Sequence, residues 1–325
     1  MKRIPLVLVL ILALFVFAAC NGVTATSSQT DVTVESTEAT AKYQIALVMK
    51  TLTNPFFIEM ERGARKAESE FNINLIVRTA AQETSIEQQI EIIDELIENK
   101  VDAIVVSPGD SLSLIPVLKR AQDAGIIVIN IDNRLDPEFS KEYGLVNVPY
   151  ISVNNEQGAY LSAHYLSEQI DTPTDVIILD GILEAQNAID RHAGAVRAFS
   201  ENPNITVVAS ESAHWKIDEA YELTRELFET HPDVRAIFAA NDMMALGAIQ
   251  YLQERNKTDV LVASYDALDE AKRAIQAGTL AATIDQQAAL QGYLGVEYAV
   301  RALNGETLDA ETIVDVLLVT KETMP

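Results

Sequence analysis

The chain has 325 residues, of which 48% are hydrophobic, and it carries a formal net charge of −24. That length buries ample core and suits two lobes rather than one. Nucleic-acid binding needs a basic face, so the acidic balance excludes it and reads as a solvated, soluble surface.

Lys2 and Arg3 precede an apolar stretch from Leu6 to Ala19, which closes on Ala18-Ala19-Cys20. The stretch is too short for a comfortable membrane span and has the flanks of an export signal. Cys20 is the only cysteine, so no intrachain disulfide forms. Residues 1–20 resemble a bacterial lipoprotein signal, departing from it at Phe17, where leucine is usual. The resemblance implies a lipid on Cys20, which becomes the new N-terminus and holds the protein to a membrane, facing the periplasm or cell exterior. Residues 21–42, rich in Thr, Ser, Ala and Val with no periodic apolar face, read as a flexible tether. The folded body is expected to start near Tyr43.

Short apolar, β-branched runs then alternate with helical patterns. Gln44–Met49, Asn74–Val77, Ala103–Ser107 and Ile126–Ile131 read as buried strands. Ser85-Ile86-Glu87-Gln88 is a capping-box signal, after which Ile86, Ile90, Ile93 and Ile97 share one helical face. Gly125 stops the helical stretch Leu112–Ala124. The alternation restarts at Val176–Asp180, Ile205–Ala209, Ala236–Ala239 and Val260–Ser264. Strands alternating with helices argue for parallel α/β sheets, and two such series argue for two similarly built lobes. There is no short-period repeat, which excludes a solenoid.

Polar and aromatic residues recur just past the strand-like runs, at Lys50 to Phe57, Asp132 to Arg134, Ile182 to Arg191, Trp215, Asn241-Asp242, Tyr265-Asp266 and Gln286. In an open parallel sheet the carboxyl ends of the strands line one crevice, so these stretches converge there. Asn54-Pro55-Phe56-Phe57 opens the first helix, with Pro55 suited to its first turn and Asn54 either a cap or a contact. Phe56 and Phe57 are neighbours that face different ways, so one ring is expected outside the core, placed to stack on the C–H face of a sugar. Asp132 and Asp266 each end a strand, and a carboxylate accepts from two neighbouring hydroxyls at once; alone, each also fits a turn or helix cap. Arg191 alone fits a surface arginine. Trp215, the only tryptophan, sits among Ser212, His214, Lys216 and Asp218, where a core tryptophan would be odd. Asp242 reads as the helix cap, leaving Asn241 to face the crevice. Catalytic and metal readings fail on spacing. The four histidines are scattered with no cysteine partner, and no G-x-S-x-G, Walker or G-x-G-x-x-G motif occurs. No cofactor, metal or catalytic residue is expected.

The run Ile45 to Phe57, the run Phe238-Ala239-Ala240-Asn241-Asp242-Met243-Met244-Ala245-Leu246-Gly247 and the run Leu280 to Gln286 resemble bacterial ribose- and allose-binding proteins. The likeness runs from Tyr43 to the C-terminus with its motifs in order. It implies a type I periplasmic binding protein fold, α/β, with two Rossmann-like lobes of parallel sheets flanked by helices and joined by a three-strand hinge. The lobes would comprise 43–153 with 287–314 and 154–286 with 315–325. It implies a receptor that holds a monosaccharide or related polyol (allose-, ribose- or inositol-like) between the lobes, as a monomer, and hands it to an ABC permease and ATPase. Position by position, it assigns ligand contacts to Asn54, Phe56, Phe57, Asp132, Arg191, Trp215, Asn241, Asp266 and Gln286. Lys50 and Trp215 match allose binders better than ribose binders. Asn133 stands where ribose binders carry arginine and allose binders an acid, and it joins the expected contacts with Lys50. The loop Arg134–Tyr150 is also longer than in ribose binders.

Sugar-responsive repressors share this fold, but they need an N-terminal DNA-binding headpiece where this chain has a signal and tether. A sensor presenting the same ligand to a membrane chemoreceptor or kinase remains the alternative to transport. An enzyme lacks its catalytic constellation here.

Overall fold

A computed structural model describes residues 42–324. The signal segment, Cys20 and the tether up to residue 41 lie outside the described residues. In chain order the first series is β1 (Gln44–Met49), α1 (Pro55–Phe71), β2 (Asn74–Thr79), α2 (Ile86–Glu98), β3 (Ala103–Val106), α3 (Ile115–Asp123), β4 (Ile127–Ile131), α4 (Pro137–Tyr143) and β5 (Tyr150–Val153). The second is α5 (Asn155–Ser167), β6 (Thr174–Asp180), α6 (Gln186–Ser200), β7 (Ile205–Ser212), α7 (Ile217–Thr230), β8 (Val234–Ala239), α8 (Asp242–Glu254), β9 (Leu261–Ala263), α9 (Asp269–Ala277) and β10 (Ala282–Asp285). The chain closes with α10 (Ala288–Leu303), β11 (Glu311–Val314) and β12 (Leu317–Thr320).

Two six-stranded sheets result, in the orders β11-β5-β4-β3-β1-β2 and β12-β10-β9-β8-β6-β7. Every pairing is parallel except that of β12 with β10. Both are doubly wound sheets whose strand order reverses beside the first strand, at β1/β3 and at β6/β8. Such a reversal leaves a crevice at the carboxyl ends of the strands. Three segments link the sheets, between β5 and α5, between β10 and α10, and between β11 and β12.

The strands are apolar on both faces because both faces are covered. In β1, Ile45, Leu47 and Met49 join a core cluster with Phe57 and Met60 of α1, while Ala46 and Val48 join another with Ile93, Leu96 and Leu118 of α2 and α3. Alternate residues of a strand point to opposite faces, so one strand serves both layers.

Local details differ from the sequence reading. Ser85 precedes α2 but makes no side-chain cap bond, and Gln88 instead accepts from the Ala81 N–H at 2.8 Å. The capping box fails because Gln88 finds a loop donor within reach. The Arg134–Tyr150 loop carries its own short helix, α4, capped by Asp136 at the Phe139 N–H (2.7 Å) and stopped at Gly144 (φ 82°). Strands β5, β10, β11 and β12 escaped the periodicity reading: each is four residues long and includes a Ser or Thr, so none stands out as an apolar run.

Candidate functional site

The crevice gathers side chains from the carboxyl ends of both sheets around a small central cavity, about 20 Å³ as traced by the centre of a water molecule. That space holds one or two waters. From the first lobe come Lys50 after β1, Asn54, Phe56 and Phe57 at the start of α1, Glu83 from the β2–α2 loop and Asp132 after β4. From the second come Asn187 and Arg191 on α6, Trp215 before α7, Asn241 before α8, Asp266 after β9 and Gln286 after β10. Ten of the eleven positions expected from sequence thus converge. Asn133 does not reach the cavity: its amide donates to the Pro108 carbonyl (3.3 Å) and to Ser111 Oγ (3.4 Å), and its Oδ1 accepts from the Asn187 N–H (3.2 Å).

Lys50 is 2% exposed and is therefore not a solvated lysine. Its Nζ lies 2.9 Å from Asp132 Oδ2, which also accepts from Ser107 Oγ at 2.6 Å. The Asp132 carbonyl accepts from Ser152 Oγ (2.7 Å) and Tyr150 OH (3.1 Å). These bonds hold Asp132 at φ 63°, a left-handed backbone that a non-glycine residue keeps only when its surroundings impose it. Asp266 sits at φ 120° in the matching place of the second lobe.

Arg191 is equally fixed. Its Nε donates to Asn155 Oδ1 (2.9 Å) and one terminal nitrogen to the Ala240 carbonyl (2.9 Å), with Asp266 Oδ1 at 3.5 Å. Its guanidinium lies between two rings, 3.8 Å from the Tyr265 centroid and 5.5 Å from that of Trp215. Gln286 Nε2 donates to Asp266 Oδ1 at 2.6 Å. Burial holds the Asp266 carboxyl well above the usual carboxylate range, against the pull of Arg191. Burial also raises Glu83, opposed by Lys50 and by the hydrogen bond from Asn54 Nδ2 (3.0 Å).

Asn54 is the cap, its Oδ1 accepting from the Phe56 N–H (3.1 Å), and it also lines the cavity, where its amide donates to Glu83. Phe56 and Phe57 form an edge-to-face pair at 5.1 Å; both are buried in the core cluster, where one was expected outside it, and both also line the cavity. The first turn of α1 lies under the second lobe, and the cavity rather than solvent takes the outward-facing ring.

Asn241 lines the cavity as expected, but the cap of α8 is Asn241 and not Asp242. Asn241 is the cap of α8, its Oδ1 accepting from the Met244 N–H (2.9 Å), and its amide also reaches the Trp215 carbonyl (3.4 Å). Asp242 is wholly buried behind it and accepts from Ser264 Oγ, from Thr283 Oγ1 (2.7 Å) and from the Leu268 N–H (2.7 Å). Burial raises its pKa to about 7.

Glu83 escaped the sequence reading, and Asn187 lay within the expected stretch Ile182 to Arg191 without being singled out. Glu83 follows β2, which runs two residues past the apolar stretch, so the strand-end rule applied at Thr79 would have reached its loop. Asn187 lies one helical turn before Arg191, so the two share a face.

Three buried polar atoms on the cavity wall have no protein partner: Asn187 Oδ1, Trp215 Nε1 and Gln286 Oε1. An unsatisfied buried polar group costs about 1–3 kcal/mol, so the wall is set to receive hydroxyls that both donate and accept. Aromatic faces, paired charges and amides suit a compact polyhydroxylated molecule. Among the described residues no group of three metal-ligating side chains comes together.

The family model for the periplasmic binding protein domain matches residues 45–307. The chain is 36% identical over 293 residues to a D-ribose/D-allose-binding protein of Pseudomonas aeruginosa, covering 89% of this chain and 91% of that one. It is 33% identical to the ribose import binding protein RbsB of Escherichia coli, covering 88% and 94%. An ABC transporter periplasmic solute-binding protein of Actinobacillus succinogenes, solved with bound D-allose, superposes with a TM-score of 0.82 at 39% identity, covering 86% of this chain and 98% of that one.

Proposed function

Since the chain belongs to the periplasmic binding protein family, we propose that it binds a monosaccharide or related polyol between its lobes and delivers it to an ABC permease and ATPase. The observation that carries this reading is the convergence of Lys50, Asp132, Arg191, Asp266 and the three unpartnered polar atoms on one small cavity between the lobes, which has to widen to take a sugar. The relatives are a D-ribose/D-allose-binding protein and a ribose import binding protein, and the chain is accordingly a binding protein rather than an enzyme.

In this reading the ligand contacts are Lys50, Asn54, Phe56, Phe57, Glu83, Asp132, Asn187, Arg191, Trp215, Asn241, Asp266 and Gln286, with Asn133 left out. The two lobes, 43–153 with 287–314 and 154–286 with 315–325, open to admit ligand and close by hinge motion, because contacts come from both. The protein works as a monomer on a lipid carried by Cys20. Replacing Cys20 by serine is expected to release the protein from membranes with sugar affinity unchanged.

A thermal-shift screen with D-allose, D-ribose, other hexoses and pentoses, ketoses and myo-inositol tests the central claim. A ligand at a hundred times its dissociation constant stabilises the folded state by about 2.7 kcal/mol, a clear rise in melting temperature. No rise with any neutral sugar or polyol, in a folded sample, overturns it.

A further inference from the structure

Helix α6 begins without a cap of its own. Its N-cap position is Ala185, which offers no side-chain acceptor, whereas helices ordinarily satisfy their first N–H groups with Ser, Thr, Asp or Asn. The missing acceptors come from the other lobe. Gln186 N–H donates to Ser111 Oγ at 3.0 Å, and Asn187 N–H donates to Asn133 Oδ1 at 3.2 Å. Ser111 follows β3 and Asn133 follows β4, both in the first sheet. A third bond runs beside them, from the Ser111 N–H to the Glu184 carbonyl at 3.1 Å. All three join lobe to lobe directly, without passing through the cavity.

The two acceptors are held in place by their own lobe. Asp110 Oδ1 accepts from the Leu112 and Ser113 N–H groups (2.8 and 2.6 Å), which shapes the turn around Ser111. Asn130 Nδ2 donates to the Asn133 carbonyl at 2.8 Å, which shapes the next. Acceptors fixed in advance lose little freedom when they meet the helix. The helix they meet carries Arg191, and Asn187 offers its backbone N–H to the first lobe while its side-chain oxygen faces the cavity.

We propose that Ser111 and Asn133 cap α6 across the cleft and act as a latch that favours the closed lobes without help from ligand. Opening strips the helix of its cap, and closing restores it, so the latch adds a constant bias to the closed state. Its effect on how long a sugar is retained rests on the sugar-binding reading; the bias itself does not. Ser111 and Asn133 are positioning residues, since neither lines the cavity.

Trp215 supplies the readout, being the only tryptophan and buried at the cavity between the lobes. Opening wets its ring, so acrylamide quenching of its fluorescence in the sugar-free full-length protein follows the open fraction. Ser111→Ala and Asn133→Ala are each expected to raise the open-to-closed ratio by about threefold to tenfold, and the double variant by more. With D-allose as the probe, its dissociation in stopped flow is expected to quicken by a similar factor while association changes little. Ala185→Ser separates the latch from ordinary helix support. It gives α6 a cap usable with the lobes open and removes no bond from the closed form. Quenching is therefore expected to rise and, since Ala185 is buried, to rise further than in Ala185→Val, which fills the same space but offers no cap.

A folded double variant whose Trp215 is quenched no more than wild type overturns the latch. So does an Ala185→Ser variant whose quenching falls, stays unchanged or rises no more than that of Ala185→Val, and this variant decides the matter if the double variant fails to fold. If D-allose does not bind wild type, the dissociation arm counts against that sugar alone, and the sugar-free quenching series still judges the latch.

Discussion

Gly181 stands directly after β6, against the indole of Trp215, and Gly181→Ala offers a sharp test of how that ring is seated. A Cβ at this position would lie 2.0 Å from both Cη2 and Cζ2 of Trp215 and 2.3 Å from Cε2. Carbon atoms pack at roughly 3.5–4 Å, so the ring has to move by about 1.5 Å or more. The main chain cannot easily follow, because His214 and Trp215 already hold left-handed backbone at φ 48° and 67°. Overpacking of this kind costs about 1–3 kcal/mol. Since the ring lines the cavity and lies over Arg191, its displacement falls on the site, and a loss of about 1.4–2.7 kcal/mol is tenfold to a hundredfold in dissociation constant. Calorimetry with whichever sugar the thermal screen identifies, together with urea unfolding, measures both losses. Repeating the substitution in a Trp215→Ala background removes the clash, so the stability cost of Gly181→Ala is expected to vanish there. Equal costs in the two backgrounds would refute the reasoning.

Asp132→Ala and Asp266→Ala each remove charge-assisted hydrogen bonds, about 1.5–3 kcal/mol, so calorimetry should find sugar affinity lowered by roughly tenfold to a hundredfold. Wild-type affinity in both, with the fold intact, would sink the proposed pocket. Asp132→Ala also leaves the buried Lys50 ammonium without its carboxylate, and urea unfolding should show it the less stable of the two by up to about 3–5 kcal/mol. Lys50→Ser leaves the buried Asp132 carboxylate its Ser107 bond but no cation, so urea unfolding should show a loss of up to about 3–5 kcal/mol, and competition binding should show the ratio of D-allose to D-ribose affinity shifting as well. Asp242 has a pKa of about 7 in the fold against about 4 when unfolded, so its contribution to stability is full below about pH 4 and lost as pH rises through 7. The stability of wild type relative to Asp242→Asn should therefore fall between pH 4.5 and 7.5 in urea unfolding, and a constant difference would rule out a titrating Asp242.

The strand-end rule served well because it depends on topology alone. Lys50, Asp132, Asp266 and Gln286 each follow a strand, and a parallel sheet sends every such position to one edge. What escaped was set by contacts that no local pattern encodes. Asn133 neighbours Asp132 in sequence, yet successive residues leaving a strand diverge, and its amide turns back toward Pro108 and Ser111. Asp242 is drawn away from the cap position by Ser264 and Thr283, which supply hydroxyls to its carboxylate from far along the chain, so Asn241 caps α8 while it lines the cavity. Glu83 was hidden because the polar end of β2, Arg78-Thr79, lacks the apolar character by which buried strands are read.

The order in which the two sheets take their strands bears on how the protein is made. The edge strand β11 and the helix α10, which packs on α1, both come from chain that follows the whole second lobe, and β12 completes the second sheet only after that. The first sheet lacks its edge strand until Glu311–Val314 is made and the second until Leu317–Thr320 is made, so neither lobe is complete before then. Contacts this distant in sequence also form slowly. A nascent chain that stays unfolded while it emerges can still be threaded through a narrow secretion channel, and fold only on the far side.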